Sequence, residues 1–345
     1  MINLTNSVLS NLAIHWIGNK YDKTDSVYSS EQVNLDLDEY QILYPGSFSF
    51  LQVNREQYKF FHASDIELNE LYNFSKKIFG SRKSFLKIST EIAKHLFEQT
   101  IHPNINTGDL IICLLEDIKY NDRITDAIAI IKCETKNAFF RSYSKTSTYK
   151  SEICEGVNVK KYDKACLIVN MKAEDGFRLI SLEKNETSNY WQRDFLNVLP
   201  IADEYHFTNN FLKLTKQFIT TTLPNEFEIS KTEQVDLLNK SVNYFKENET
   251  FDIKDFQKTV FDDKEITKSF RSFGSEYSER NEIDIAERFE ISDQAVKKQA
   301  KAFKSVLKLD KNFHIYIHGD KDLIEKGFDK QKNMNYYKVY FKEEQ

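Results

Sequence analysis

Glu134-Thr135-Lys136 closes a strongly apolar run, and three aspartates, Asp109, Asp117 and Asp126, precede it. Metal-dependent nucleases of the PD-(D/E)xK type place an acid and a Glu-x-Lys at a strand end. Carboxylates there hold Mg²⁺, and the lysine orients the attacking water. Asp117, Asp126, Glu134 and Lys136 are therefore candidate catalytic residues, and Mg²⁺ is the one cofactor this chemistry would require. Acids and lysines on hairpin strands are also common surface pairs, so the spacing supports a nuclease only as the alternative to a non-enzymatic protein. His314, His318 and Asp320 suggest a metal site less well. Two histidines four apart on a strand stand about 13 Å apart, at roughly 3.3 Å per residue, too far to share one ion. The chain has no Gly-rich phosphate loop and no Gly-x-Ser-x-Gly, which removes support for ATPase and serine-hydrolase chemistry.

A different chemistry is written in the C-terminal stretch, KAFKSVLKLDKNFHIYIHGDKDLIEKGFDKQKNMNYYKVYF, from Lys301 to Phe341. Residues 297 to 342 carry 12 lysines and 5 acids, net +7, whereas residues 186 to 296 carry 13 basic and 22 acidic residues, net −9. The overall charge of −5 conceals this division. Alternation puts Phe313, Ile315 and Ile317 on one side of a strand and His314, Tyr316 and His318 on the other. A second run sets Tyr337, Val339 and Phe341 against Tyr336, Lys338 and Tyr340. Val306, Leu307 and Leu309 predict a further short strand, turned at Asp310-Lys311-Asn312. If these strands share a sheet, the inner face is core and the outer face offers lysine, histidine and tyrosine. Lysines suit phosphates and aromatic rings suit stacked bases. The candidate nucleic-acid-binding residues are Lys297, Lys298, Lys301, Lys304, Lys308, Lys311, His314, Tyr316, His318, Lys338 and Tyr340. A lysine-rich surface that keeps a sheet edge soluble is the plainer account of the same residues.

Just upstream, IDIAERFEISDQAVKKQAKAFK has the look of a helix-turn-helix. It predicts a short helix through Ala286 and Phe289, a turn at Glu290-Ile291-Ser292, and a second helix carrying Gln294, Lys297, Lys298 and Lys301 toward a groove. A connector helix whose lysines touch phosphates or solvent fits the same letters.

The run FKSVLKLDKNFHIYIHGDKDLIEKGFD followed by YYKVYFKEE resembles the C-terminal signature of the bacterial nucleoid-associated protein family of the NdpA/YejK type. NLAIHWIG, GVNVKKYDKACLIVNM and YWQRDFL resemble the same family in the same order. The resemblance implies a cytoplasmic protein of the nucleoid that binds DNA. The expected partners are DNA, with RNA and single-stranded DNA as further candidates, and a second copy of the chain in a homodimer; no membrane is expected.

The remaining chain must position these residues. Its 345 residues suffice for two domains or one large one, and 4 prolines and 9 glycines mark no flexible linker. No apolar run reaches the roughly 18 residues that span a bilayer, and the N-terminus lacks a signal-peptide pattern. Cys113, Cys133, Cys154 and Cys166 show no close pairing, and the first two sit in apolar runs where a thiol behaves as a small hydrophobe. Leu12 to Ile17 predicts a strand. Phe85, Ile88, Ile92, Leu96 and Phe97 repeat at the spacing of a helix laid on a sheet. Asp109 to Ile118 and Asp126 to Cys133 predict one antiparallel hairpin. Ala165 to Met171 and Phe177 to Leu182 predict another, turned at Glu174-Asp175-Gly176. From Tyr190 the period becomes helical, with Ser230 and Glu233 spaced as a capping box. The expectation is an α+β protein with three parts: 1–185, an antiparallel sheet with a helix; 186–280, a helical layer; and 281–345, a basic helix with a small β-sheet.

Overall fold

The computed structural model describes residues 2–48, 50–53, 56–146, 148–158, 161–184, 190–301, 303, 306–309, 313–316 and 323–343; of residues 41, 42, 45–47, 52, 53, 145, 306–308, 314 and 316 it describes the backbone alone. The described chain is α+β and divides into two units, Met1–Ile201 and Ala202–Gln345.

In the first unit the apolar runs become the centre of one antiparallel sheet. Its strands are β1 (Ile2–Asn3), β2 (Val8–Ile17), β3 (Gln57–Phe60), β4 (Gly108–Tyr120), β5 (Arg123–Cys133), β8 (Lys164–Val169), β9 (Arg178–Glu183) and β10 (Val198–Pro200). The order across the sheet is β1-β4-β5-β8-β9-β3-β10, with β2 also paired to β4. Both expected hairpins form, Asp109 opposite Cys133 in one and Ala165 opposite Leu182 in the other. Between β5 and β8 a separate ribbon stands off, β6 (Lys136–Lys145) paired with β7 (Thr148–Val157).

The central strands read as unbroken apolar runs because both sheet faces are covered. On one face Leu110, Ile112, Leu114, Ile128, Ile130 and Ile168 pack against α3 (Glu70–Gly80) and α4 (Phe85–Glu98). Helix α4 turns Phe85, Ile88, Ile92 and Leu96 inward, as its periodicity predicts. On the other face Ile111, Cys113, Ala129, Ile131 and Leu167 pack beneath Leu43 and Tyr44 of α1 (Leu37–Ser47), Phe48 after it, and Phe50 and Leu51 of α2 (Phe50–Val53). Cys113, Cys133 and Cys166 are buried free thiols, and burial raises the first two to a pKa of about 12. The turn into β9 needs its glycine. Gly176 has φ +83°, and a Cβ there would stand 2.5 Å from the Phe60 carbonyl oxygen.

Helical periodicity from Tyr190 predicts a helix too early. Trp191–Leu196 is a π-helical turn whose Trp191 and Phe195 enter the sheet core, and Val198–Pro200 is an edge strand on β3. An edge strand of three residues has too few alternations to outvote a helical period.

The second unit runs α5 (Glu204–Gln217), a π-helical turn (Phe218–Thr222), α6 (Leu223–Glu226), α7 (Lys231–Glu247), β11 (Thr250–Asp252), α8 (Ile253–Val260), α9 (Lys264–Asn281), β12 (Arg288–Glu290) and α10 (Asp293–Ala300). Its core is rich in phenylalanine: ring centroids stand 4.3 Å apart for Phe211 and Phe251, 4.6 Å for Phe251 and Phe289, and 4.9 Å for Phe261 and Phe270. Ser230 and Glu233 form the expected capping box on α7. Of the two readings of residues 283–304, a helix-turn-helix and a connector helix, the helix-turn-helix does not form among the described residues. Phe289 lies in β12, opposite Phe251 of β11, so the segment expected to be the first helix ends in a strand. Two two-stranded ribbons follow, β13 (Val306–Leu309) with β14 (Phe313–Tyr316), and β15 (Ile324–Asp329) with β16 (Met334–Val339). They are separate pairs among the described residues, not one sheet.

Candidate nucleic-acid interface

Helix α10 begins at Ser292, whose side chain caps the Ala295 amide, and it buries Ala295, Val296 and Gln299. The Gln299 amide donates to Asn209 Oδ1 at 2.7 Å, which fixes the helix on α5. The opposite side is thereby outward, and Lys297, Lys298 and Lys301 are exposed. Their position near the C-terminal end is electrostatically favourable, since the helix dipole leaves negative charge there. Lys298 Nζ lies 5.8 Å from the Tyr205 ring centroid, a cation–π arrangement.

The β15–β16 ribbon offers a second cluster. Asp329 Oδ1 accepts the amides of Gln331 and Lys332 at 2.9 and 3.1 Å, folding a four-residue loop that exposes Lys330 and Lys332. Tyr336 lies across Gly327, where a Cβ would fall 2.3 Å from the ring; the missing side chain makes room for the aromatic. Tyr336, Lys338 and Tyr340 are exposed, as the alternation predicts. Lys338 Nζ stands 4.7 Å from the Tyr340 ring centroid, and the Tyr340 hydroxyl donates to Glu325 Oε2 at 2.9 Å. These neighbours raise the Lys338 pKa above the ordinary lysine value, so the ammonium stays charged at neutral pH.

The opposite ribbon face is not the expected core. Ile324 and Tyr337 pack with Leu309 and Ile315 against Val235, but Val339 is 49 % and Phe341 71 % exposed. Alternation reports which residues share a face, while burial also needs a layer to cover it. Lys326, Lys330, Lys332 and Tyr336 extend the candidate surface beyond the residues first singled out; charge density and aromatic alternation were their signal. Lys308 and His314 are direct partners in the β13–β14 register, and Tyr316 pairs with Val306. Lys304, Lys311 and His318 lie outside the described residues.

The nuclease candidates are not brought together. Asp126 approaches Arg82 at 3.6 Å beside Glu116, and Asp117 sits at positive φ where the β4–β5 register shifts. Glu134 and Lys136 lie at the other end of the hairpin. The eight residues from Asp126 to Glu134 span about 26 Å at roughly 3.3 Å per residue. Lys136 pairs with Asp109 at 3.5 Å. Among the described residues no group of three or more His, Cys, Asp or Glu could hold a metal ion.

Glu134 belongs instead to a buried cluster. Its side chain is 4 % exposed, and its Oε1 receives Lys132 Nζ at 3.0 Å and Lys164 Nζ at 2.9 Å. Lys132 also donates to the Asn106 carbonyl at 2.7 Å and to the Tyr190 hydroxyl at 3.0 Å. Asp163 fastens the chain after β5 by accepting the Glu134 and Thr135 amides at 2.7 and 3.1 Å. Burial lowers the Lys132 pKa, with Glu134 opposing that shift, and burial raises those of Glu183 and Tyr190.

Fold and surface together define a large-sheet α+β protein whose second unit presents lysine and tyrosine to solvent. The chain belongs to the nucleoid-associated protein YejK family, whose profile matches residues 14–335. No curated protein matches it. No helix among the described residues is long and apolar enough to cross a membrane.

Proposed function

We propose that this protein binds DNA in the bacterial nucleoid, within the cytoplasm, without enzymatic turnover and mostly without regard to sequence. One observation carries the reading: Lys297, Lys298 and Lys301 on α10, and Lys326, Lys338 and Tyr340 in and beside the β15–β16 ribbon, all face solvent. Ammonium groups displace the counterions condensed on DNA, and exposed rings accept the bases of single strands, DNA or RNA. Lysine contacts to phosphate position a protein on DNA without reading bases. Family membership supports the same role.

The test is duplex binding by the full chain across a salt series. Replacing Lys297, Lys298 and Lys301 together by alanine should flatten log affinity against log salt by up to about 2.7, at roughly 0.9 per neutralised phosphate. Absence of duplex binding refutes the reading, and an unchanged slope and affinity in the triple variant removes the α10 lysines from the binding surface. Tyr340→Ala should weaken single-stranded binding by about 1 to 3 kcal/mol per stacked base and leave duplex binding nearly unchanged.

A homodimer is part of the proposal. The β6–β7 ribbon sets Phe140, 75 % exposed, directly opposite Ile153, 76 % exposed, on one projecting face. An isolated two-stranded ribbon is marginal in water, and a second copy would cover that face. Phe140→Ser with Ile153→Ser should turn a dimer into a monomer in sedimentation velocity. The nuclease alternative keeps one feature in its favour, the pairing of Lys136, two residues after Glu134, with the half-buried Asp109. Plasmid nicking with Mg²⁺ that disappears in Lys136→Ala would establish it.

A further inference from the structure

Helices α8 and α9 are joined by three residues, Phe261 to Asp263. Their inner sides are locked by Phe256, Phe261 and Phe270, whose ring centroids stand 4.9 to 6.2 Å apart. A short helix, a three-residue turn and a longer helix is the build of a helix-turn-helix, one helix earlier than the letters after Asn281 suggest. A groove of about 510 Å³ runs along the pair, lined by Lys254 and Lys258 of α8 and by Lys264, Lys268 and Arg271 of α9.

All five cations are exposed, and among the described residues none has an ion-pair partner. Lys254 with Lys258, and Lys264 with Lys268, stand one helical turn apart, where like charges repel unless an anion lies between them. Two acids share the lining, Asp262 and Asp263; Asp263 is engaged as the α9 cap, accepting the Glu265 and Ile266 amides. Gln257 holds the Arg271 guanidinium in place. Gln257 is 2 % exposed, and its Oε1 accepts Arg271 Nε and Nη2 at 3.0 and 2.8 Å. Arginine only donates, which fixes the amide orientation and leaves Nε2 as a buried donor with no partner among the described residues. A groove walled by four ammonium groups and a guanidinium is complementary to phosphate oxygens.

We propose that the α8–α9 pair is a helix-turn-helix element whose groove holds the phosphate backbone of duplex DNA, as a binding surface distinct from α10 and the C-terminal ribbons. The proposal rests on the reading of the chain as a DNA-binding protein. In the full chain, changing Lys254, Lys258, Lys264 and Lys268 together to glutamine should flatten the salt slope by about 3.6, at roughly 0.9 per neutralised phosphate. On the same relation, affinity at 0.1 M salt falls about eightfold for each phosphate that the variant no longer neutralises. If this variant binds like the wild type while the triple α10 variant weakens, the α8–α9 proposal is overturned and the general reading stands. If the α8–α9 variant weakens and the α10 variant does not, the proposal stands and the α10 surface is set aside. A wild type that ignores duplex DNA overturns both. Lysine acetylation read by mass spectrometry checks the site without substitution: duplex DNA should protect these four lysines, and equal labelling with and without DNA overturns the proposal.

Discussion

Replacing Glu134 by alanine should destabilise the first unit far more than its place at a strand end suggests. Lys132 and Lys164 are direct partners in the β5–β8 register, two like charges placed opposite each other, an arrangement that costs stability unless an anion joins them. Their side chains are 0 % and 5 % exposed, and Glu134 Oε1 is the carboxylate oxygen to which both donate. Without it, Lys132 retains the Asn106 carbonyl and the Tyr190 hydroxyl, neither of which neutralises a charge. Breaking a buried ion pair by removing one partner costs about 3 to 5 kcal/mol. At roughly 2 to 4 °C per kcal/mol for a unit of this size, the melting temperature should fall by about 6 to 20 °C. Circular dichroism melts of the full chain measure it. A Glu134→Ala protein melting within about 2 °C of the wild type would refute the claim that the cluster is desolvated and coupled.

The same reasoning governs the nuclease test, because lost nicking in Glu134→Ala could report lost folding. Lys136 is exposed and separates the two effects. Lys132→Met with Glu134→Leu provides a further check. This double variant should cost less than Glu134→Ala alone, since it leaves one buried lysine, Lys164, without its carboxylate where Glu134→Ala leaves two.

Three further outcomes are expected from burial, a turn and a cap. Burial lowers His15 to a pKa of about 4, so between about pH 6.5 and 4 the unfolded chain binds the extra proton; stability should fall by at most about 3 kcal/mol across that window, and urea titrations of His15→Asn should show a flatter pH dependence. Gly176→Ala should cost about 1 to 3 kcal/mol, read as a lower urea midpoint, because it places a Cβ at φ +83° and against the Phe60 carbonyl. Ser230→Ala should cost about 1 kcal/mol in the same assay by opening the α7 capping box, and an unchanged midpoint would show that the cap contributes nothing.

What the letters reveal tracks how local the cause is. Strands β4, β5 and β8 are legible because both faces are buried, which writes an apolar residue at nearly every position. The Gly176 turn and the Ser230 cap are legible because each is set within a few residues. The β6–β7 ribbon is not, since its residues are mostly exposed and no face is marked. Nor is β12, where three residues are strand only because Phe289 meets Phe251, thirty-eight positions earlier. Glu134 shows the same limit at a site. Its spacing to Lys136 suggests a metal centre, while Lys164, brought alongside by the β5–β8 register, makes the carboxylate a counter-ion.

Charge demands the same caution in a different form. Counted as a block, residues 186 to 296 are acidic, and nothing in a net of −9 points to an anion site. A helix nevertheless sorts its residues by angle, so acids and lysines three or four positions apart can be averaged in a sum and separated in space. The basic positions 254, 258, 264, 268 and 271 are spaced by four, four and three within the two helices, and the fold gathers all five along one groove. The informative quantity is therefore charge per helical face. By that measure the groove proposed to hold phosphate lies on the helices whose net charge made them look least suited to DNA.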